Sequence, residues 1–165
     1  MELNQSSLRG ILAQILSVNE KYIVPKQGNW WNPQEQGSAP VTWCAYMIRR
    51  NRPRTVPSYI AESQLSGDVN YVRVTKIADI DLQFVGTQAE ELAQSVCLWT
   101  RRSDVQAQFA TVQGAVMNCA GDAVSSYFGQ DGGNAVMAWN VSIQVLWESM
   151  TATTQGPMPV VDLQG

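Results

Sequence analysis

Apolar positions recur along this chain with two periods, and the period divides it into elements. Leu8, Ile11, Leu12, Ile15 and Leu16 fall at i, i+3, i+4, i+7 and i+8, one face of an amphipathic helix. Ser6 or Ser7 is positioned to cap its start, and the helix is predicted to end near Asn19. Residues 25–40 hold three prolines, two glycines and the pair Trp30-Trp31, and read as a long irregular loop. Val41 to Ile48 is apolar at nearly every position, as expected of a strand covered on both faces. Arg49-Arg50-Asn51-Arg52-Pro53-Arg54 follows and is predicted as a loop, because Pro53 and Pro57 interrupt it.

Val69 to Thr75 and Ala78 to Val85 read as two strands or as one long bulged strand. In the second of these, Ala78, Ile80, Leu82 and Phe84 alternate with Asp79, Asp81 and Gln83, the period of a half-buried strand. Gly86 comes next, and Thr87-Gln88-Ala89-Glu90 fits a capping box opening a helix. Its buried stripe is Ala89, Leu92, Ala93, Val96 and Trp99, and Arg101 and Arg102 suit the dipole of its last turn. A lone glycine between acidic side chains disfavours phosphate at this strand–helix junction. Ser103 and Gln106 fit a second capping box, with Val105, Phe109 and Val112 inward and Gly114 at the C′ position.

The final third reads as β structure. Ala123–Phe128 and Ala135–Trp147 flank Gln130-Asp131-Gly132-Gly133-Asn134, a hairpin signature. In the second arm Ala135, Met137, Trp139, Val141, Ile143, Val145 and Trp147 take every odd position, with Asn140, Ser142, Gln144 and Glu148 among the even ones. At ~3.3 Å per residue this arm spans about 40 Å, roughly twice a common strand. Its overhang is expected to need a neighbouring chain. Residues 151–165 have no clear periodicity and are expected to form a tail or an arm that orders on a neighbour. The expected fold is α+β: an antiparallel (mixed) β-sheet with helices packed on one face and a long closing β-hairpin, in a single domain over residues 1–150.

Composition narrows the chemistry. A chain of 165 residues, 45% hydrophobic and 15% charged, is an ordered domain with a fairly neutral surface, as interface cores are. It contains no histidine. The commonest general base, the Ser-His and Cys-His pairs and most transition-metal sites are therefore unsupported. Ser125-Ser126 has no histidine partner, and Cys97 beside the apolar helix stripe reads as core. Cys44, Cys97 and Cys119 form no CxxC pair, and a reducing compartment is the simplest reading. No signal peptide or membrane span is apparent, and no membrane partner is expected.

Charge is unevenly spread, +4 over residues 1–60 and −7 over residues 61–165. Such asymmetry fits either nucleic-acid binding or the basic surface of one copy facing the acidic surface of another. Arg49, Arg50, Arg52 and Arg54 form the sharpest cluster. In a chain of pI about 4.8 without aromatic platforms beside it, this cluster is expected to meet an acidic protein neighbour and not DNA. Asp79 and Asp81 share one strand face and could bind a hard cation, but the bland reading, a solvated face, is favoured because no third ligand lies nearby. Trp30 and Trp31 are read as tucking a ring into the core, with a binding role as the alternative.

From Arg49 to Glu148 the chain resembles the tail-terminator or neck-terminator proteins of tailed bacteriophages. The features that carry the resemblance are Asn51-Arg52-Pro53, Tyr71-Val72-Arg73-Val74-Thr75, Asp81-Leu82-Gln83-Phe84-Val85-Gly86, the Ala-rich helix through Ala93, and Trp139 leading the last strand. The resemblance implies a tail-terminator-like subunit of a homo-oligomeric ring, typically a hexamer. Such a ring caps the tail tube and joins it to the head–tail connector or adaptor, meeting tube or sheath protein. DNA passes through the lumen without sequence-specific binding. It would be a virion protein, assembled in the host cytoplasm, with no enzymatic activity, cofactor or metal. The interface candidates are Arg49, Arg50, Arg52, Arg54, Asp79, Asp81, Trp30 and Trp31. Two alternatives stay open: another phage head–tail adaptor, tail-tube or baseplate subunit, and a metal-dependent enzyme using Asp79 and Asp81.

Overall fold

A computed structural model describes residues 3–26, 42–53, 62–66, 69–99, 102–119, 122–128 and 136–154. Helix α1 spans Gln5–Leu16, and its start is fixed by a reciprocal capping box. Asn4 Oδ1 accepts the Ser7 N–H at 3.0 Å, while Ser7 Oγ accepts the Asn4 N–H at 2.9 Å. Ser7 is therefore the N3 partner and Asn4 the cap, two or three residues before the predicted Ser6 or Ser7. The helix ends at Leu16, short of Asn19, because Ser17 turns left-handed with φ 54°. Leu8, Ile11, Leu12, Ile15 and Leu16 are all buried, as their spacing predicts.

A 3-10 turn, Glu20–Tyr22, leads into strand β1, Ile23–Pro25, an element too short to register as a pattern. The Arg9 guanidinium binds this turn to α1 by two bonds to the Glu20 carbonyl, at 2.8 and 3.1 Å. Strand β2 is Trp43–Pro53, so the predicted arginine loop is strand through Pro53. Among the described residues strand β1 pairs β2 in parallel only from Cys44 to Tyr46, and the rest of β2 has no second strand partner, a setting where proline is tolerated.

Strand β3 is Glu62–Ser66, and strand β4 runs unbroken from Val69 to Val85. This resolves the two-strand alternative in favour of one long strand. Helix α2 is Ala89–Leu98 and helix α3 is Ser103–Ala110. Neither predicted capping box sets its helix start. Gln88 is the cap of α2 without a side-chain bond, and its backbone N–H donates to Thr42 Oγ1 at 3.0 Å. Arg102 is the cap of α3, and Gln106 instead makes two bonds to the backbone of Val116.

Strands β5 (Gly114–Cys119), β6 (Val124–Phe128) and β7 (Val136–Thr154) are the last of the described elements. The left-handed residue after α3 is Gln113, with φ 53°, and not Gly114. Gly114 serves a different need, because a Cβ there would sit 3.2 Å from the Phe109 carbonyl and 3.3 Å from that of Leu146. The predicted β6–β7 hairpin forms, pairing Phe128 with Val136, although its turn lies outside the described residues.

The described strands make one mixed seven-stranded sheet in the order β1-β2-β4-β7-β5, with β3 on β4 and β6 on β7. The fold is α+β, and the three helices among the described residues pack on one face. Leu8 and Leu12 of α1, Ala93 and Val96 of α2, and Val105 and Phe109 of α3 share one core with Cys44, Tyr46, Ile80, Leu82, Phe84, Ile143, Val145 and Trp147.

Most of β7 is paired within the chain. It pairs with β4 from Phe84↔Trp139 to Val69↔Thr154, and its other edge takes β6 and β5. The predicted overhang of Ala135–Trp147 is thus covered by its own subunit from Val141 to Trp147, whose odd positions are buried. The strand also continues four residues into the segment predicted as a tail, through Thr154.

Candidate functional site

The face of the sheet opposite the helices carries a polar ladder built by β4 and β7. Alternation turns Ala78, Ile80, Leu82 and Phe84 into the core, so Asp79, Asp81 and Gln83 share the other face. Antiparallel register then sets Asp79 opposite Gln144, Asp81 opposite Ser142 and Gln83 opposite Asn140. Each pair is joined. Gln144 Nε2 donates to Asp79 Oδ1 at 2.8 Å, and the Ser142 hydroxyl donates to Asp81 Oδ1 at 2.5 Å. Gln83 Nε2 donates to Asn140 Oδ1 at 2.6 Å, and Asn140 Nδ2 donates to Ser126 Oγ at 2.7 Å on β6.

Arg49 joins this ladder from β2, its Nε 3.4 Å from Asp81 Oδ2. The register of β2 on β4 shifts between Ile48 and Arg50, which makes Arg49 the extra residue of an irregularity. Lys26, Arg49, Asp81, Gln83, Asn140 and Ser142 line a cleft of about 240 Å³. At the end of the ladder the face becomes apolar, with Trp43, Ala45, Val85 and Ala138 buried together and Tyr22 set edge-on to Trp43 at 4.9 Å.

The sequence-predicted residues separate in this arrangement. Arg49, Asp79 and Asp81 come together on one face. Arg50 and Arg52 lie on β2 with their backbones opposite Asp79 and Ile77, in a strand and not in the predicted loop. Arg54, Trp30 and Trp31 lie outside the described residues. Gln83, Asn140, Ser142 and Gln144 were missed as site residues. Their signal is the polar half of the two alternating strands, which acquires meaning only once the register pairs them.

Both carboxylates accept hydrogen bonds from neutral side chains, and Asp81 also faces a guanidinium. The expected solvated face holds only in part: Arg49 and Asp81 stay partly exposed, whereas Asp79 and Gln83 are buried at 7% and 4% exposure, held by their cross-strand hydrogen bonds. Among the described residues no group of three or more Cys, Asp or Glu is arranged to hold a metal ion. No helix among them is long and apolar enough to cross a membrane. No model of a known protein family matches the chain, and no curated protein sequence matches it either.

Proposed function

We propose that the chain is the subunit of a structural ring at the head-proximal end of a bacteriophage tail, a terminator that caps the tube and joins it to the head–tail connector. The observation that carries this reading is the β4–β7 pair, 17 and 19 residues long, which outruns the core. Core side chains of β4 lie between Ala78 and Val85, and those of β7 between Ala138 and Trp147. Beyond them β4 continues through Val69 and β7 through Thr154, a ribbon of roughly 30 Å flanked by β3 and the end of β2. On its other edge β7 has no strand partner among the described residues from Ser149 to Thr154, and closing such an edge against an identical neighbour removes an aggregation hazard. The partly exposed Arg49 and Asp81 give neighbouring surfaces both charge signs to match.

Mass determination in solution followed by electron microscopy of the particles tests the proposal. Closed rings of uniform size are the expected result. Open-ended tubes would transfer the chain to the tail-tube class, and a monomer at micromolar concentration would overturn the ring reading altogether.

A further inference from the structure

The sequence separates Cys97 from Cys119 and offers no CxxC spacing, yet the fold brings them together. Cys97 lies in the last turns of α2 and Cys119 ends β5, and their sulfurs are 3.1 Å apart. A disulfide has its sulfurs about 2.05 Å apart, so closure requires an approach of only about 1 Å. Both side chains are half-buried and within reach of a small reagent, whereas Cys44 is 2% exposed in the core on β2. None of the three is in a disulfide.

We propose that Cys97 and Cys119 form a site of oxidative modification, a dithiol that closes to an intramolecular disulfide between α2 and β5 on meeting a low-molecular-weight disulfide. Cys119 Sγ donates its proton toward Cys97 Sγ, and burial together with that hydrogen bond raises the Cys119 thiol's pKa, so the first attack falls to Cys97. Its thiolate attacks one sulfur of the reagent, forming a mixed disulfide and releasing the first small thiol. Cys119 gives its proton to solvent and attacks the Cys97 sulfur, releasing the second. The reagent is reduced by two electrons and two protons, and the two protein thiols are oxidised by the same amount.

The closed loop would enclose α3. In the reduced protein α3 already holds β5 through the two bonds between Gln106 and Val116. A disulfide at Cys119 would fasten the far end of the same strand to α2.

The test uses the full chain and glutathione disulfide as the probe, with the unreduced digest read by peptide mass. The expected product is a Cys97–Cys119 cross-link with Cys44 still a thiol. Closure should be favoured about tenfold or more over the same chain in urea, because the fold holds the sulfurs in place. A C119S variant should stop at the mixed disulfide on Cys97. Recovery of both cysteines as separate mixed disulfides, a bond through Cys44, or equal closure in urea would overturn the proposal. If C119S fails to fold, the wild-type peptide map and its urea comparison decide alone.

Discussion

Gln83 donates its side-chain N–H to Asn140 across β4 and β7, yet its own Oε1 is buried with no hydrogen-bond partner among the described residues. Asn140 is held in turn by Ser126 and the Val124 carbonyl, so the amide pair spans β4, β7 and β6. A slip of one residue between β4 and β7 would exchange this polar ladder for the core face. Side-chain bonds at three successive outward positions of β4 oppose such a slip.

Gln83→Glu is expected to destabilise the fold by about 1–3 kcal/mol at neutral pH, because residue 83 is only 4% exposed and a carboxylate there meets the Asn140 oxygen and Asp81. Burial would raise the folded-state pKa of the new acid above its unfolded value of about 4.3. The folded state then holds the proton more tightly. The deficit against wild type should therefore be smallest below about pH 4 and grow as pH rises toward neutrality. Urea unfolding at the two ends of that range checks the sign, and equal deficits would refute the buried setting.

Arg49→Ser should leave the monomer's stability within about 1 kcal/mol, because its partner lies 3.4 Å away and the Arg49 side chain is 53% exposed. Under the ring reading the same substitution should weaken assembly, measured as a shift of the association midpoint to higher protein concentration. Loss of monomer stability by more than about 2 kcal/mol would make the pair structural and remove it from the interface.

Helix α1, the inward stripe of α2 and the alternation of β4 were readable because one face of each element meets the core, and burial then dictates the period. The arginine segment was misread because proline argues against a strand only where its N–H is needed, and the sequence does not reveal that β2 leaves its partner after Tyr46. Both predicted capping boxes failed for a related reason. Gln106 found a better partner in the backbone of Val116, which is distant from α3 until the sheet forms. Asp79 and Asp81 were correctly placed on one face, but their partners Gln144 and Ser142 follow from register, a long-range property.

Two glycines should respond to alanine in opposite ways. Gly10 lies inside α1, where a new Cβ meets nothing nearer than Glu20 Oε1 at 4.0 Å. Gly10→Ala should stabilise by about 0.5–1 kcal/mol through helix propensity alone. A Cβ at Gly114 meets two backbone carbonyls and Val145 Cγ1 at 3.2–3.3 Å, and the carbonyls belong to α3 and β7. Gly114→Ala should destabilise by about 1–3 kcal/mol, as overpacking does. Thermal melts of the two variants beside wild type test the contrast, and a shift of the same sign in both would refute it.

Gln106→Ala should loosen one edge of the sheet without unfolding the protein. The side chain accepts the Val116 N–H at 3.1 Å and donates to the Val116 carbonyl at 3.1 Å, an amide clamp at the point where the register of β5 on β7 shifts. That shift leaves the local ladder irregular, so the side chain takes the place of a neighbouring strand. Removing two part-buried bonds should cost about 1–3 kcal/mol. Hydrogen exchange reads the effect locally. The Val116 amide should lose protection by a larger factor than the amides of Ile80 or Leu82 in β4, since β5 can open while the central strands stay paired. A uniform loss across both strands would mean that β5 opens only with global unfolding, and that the clamp stabilises the whole sheet and not its edge.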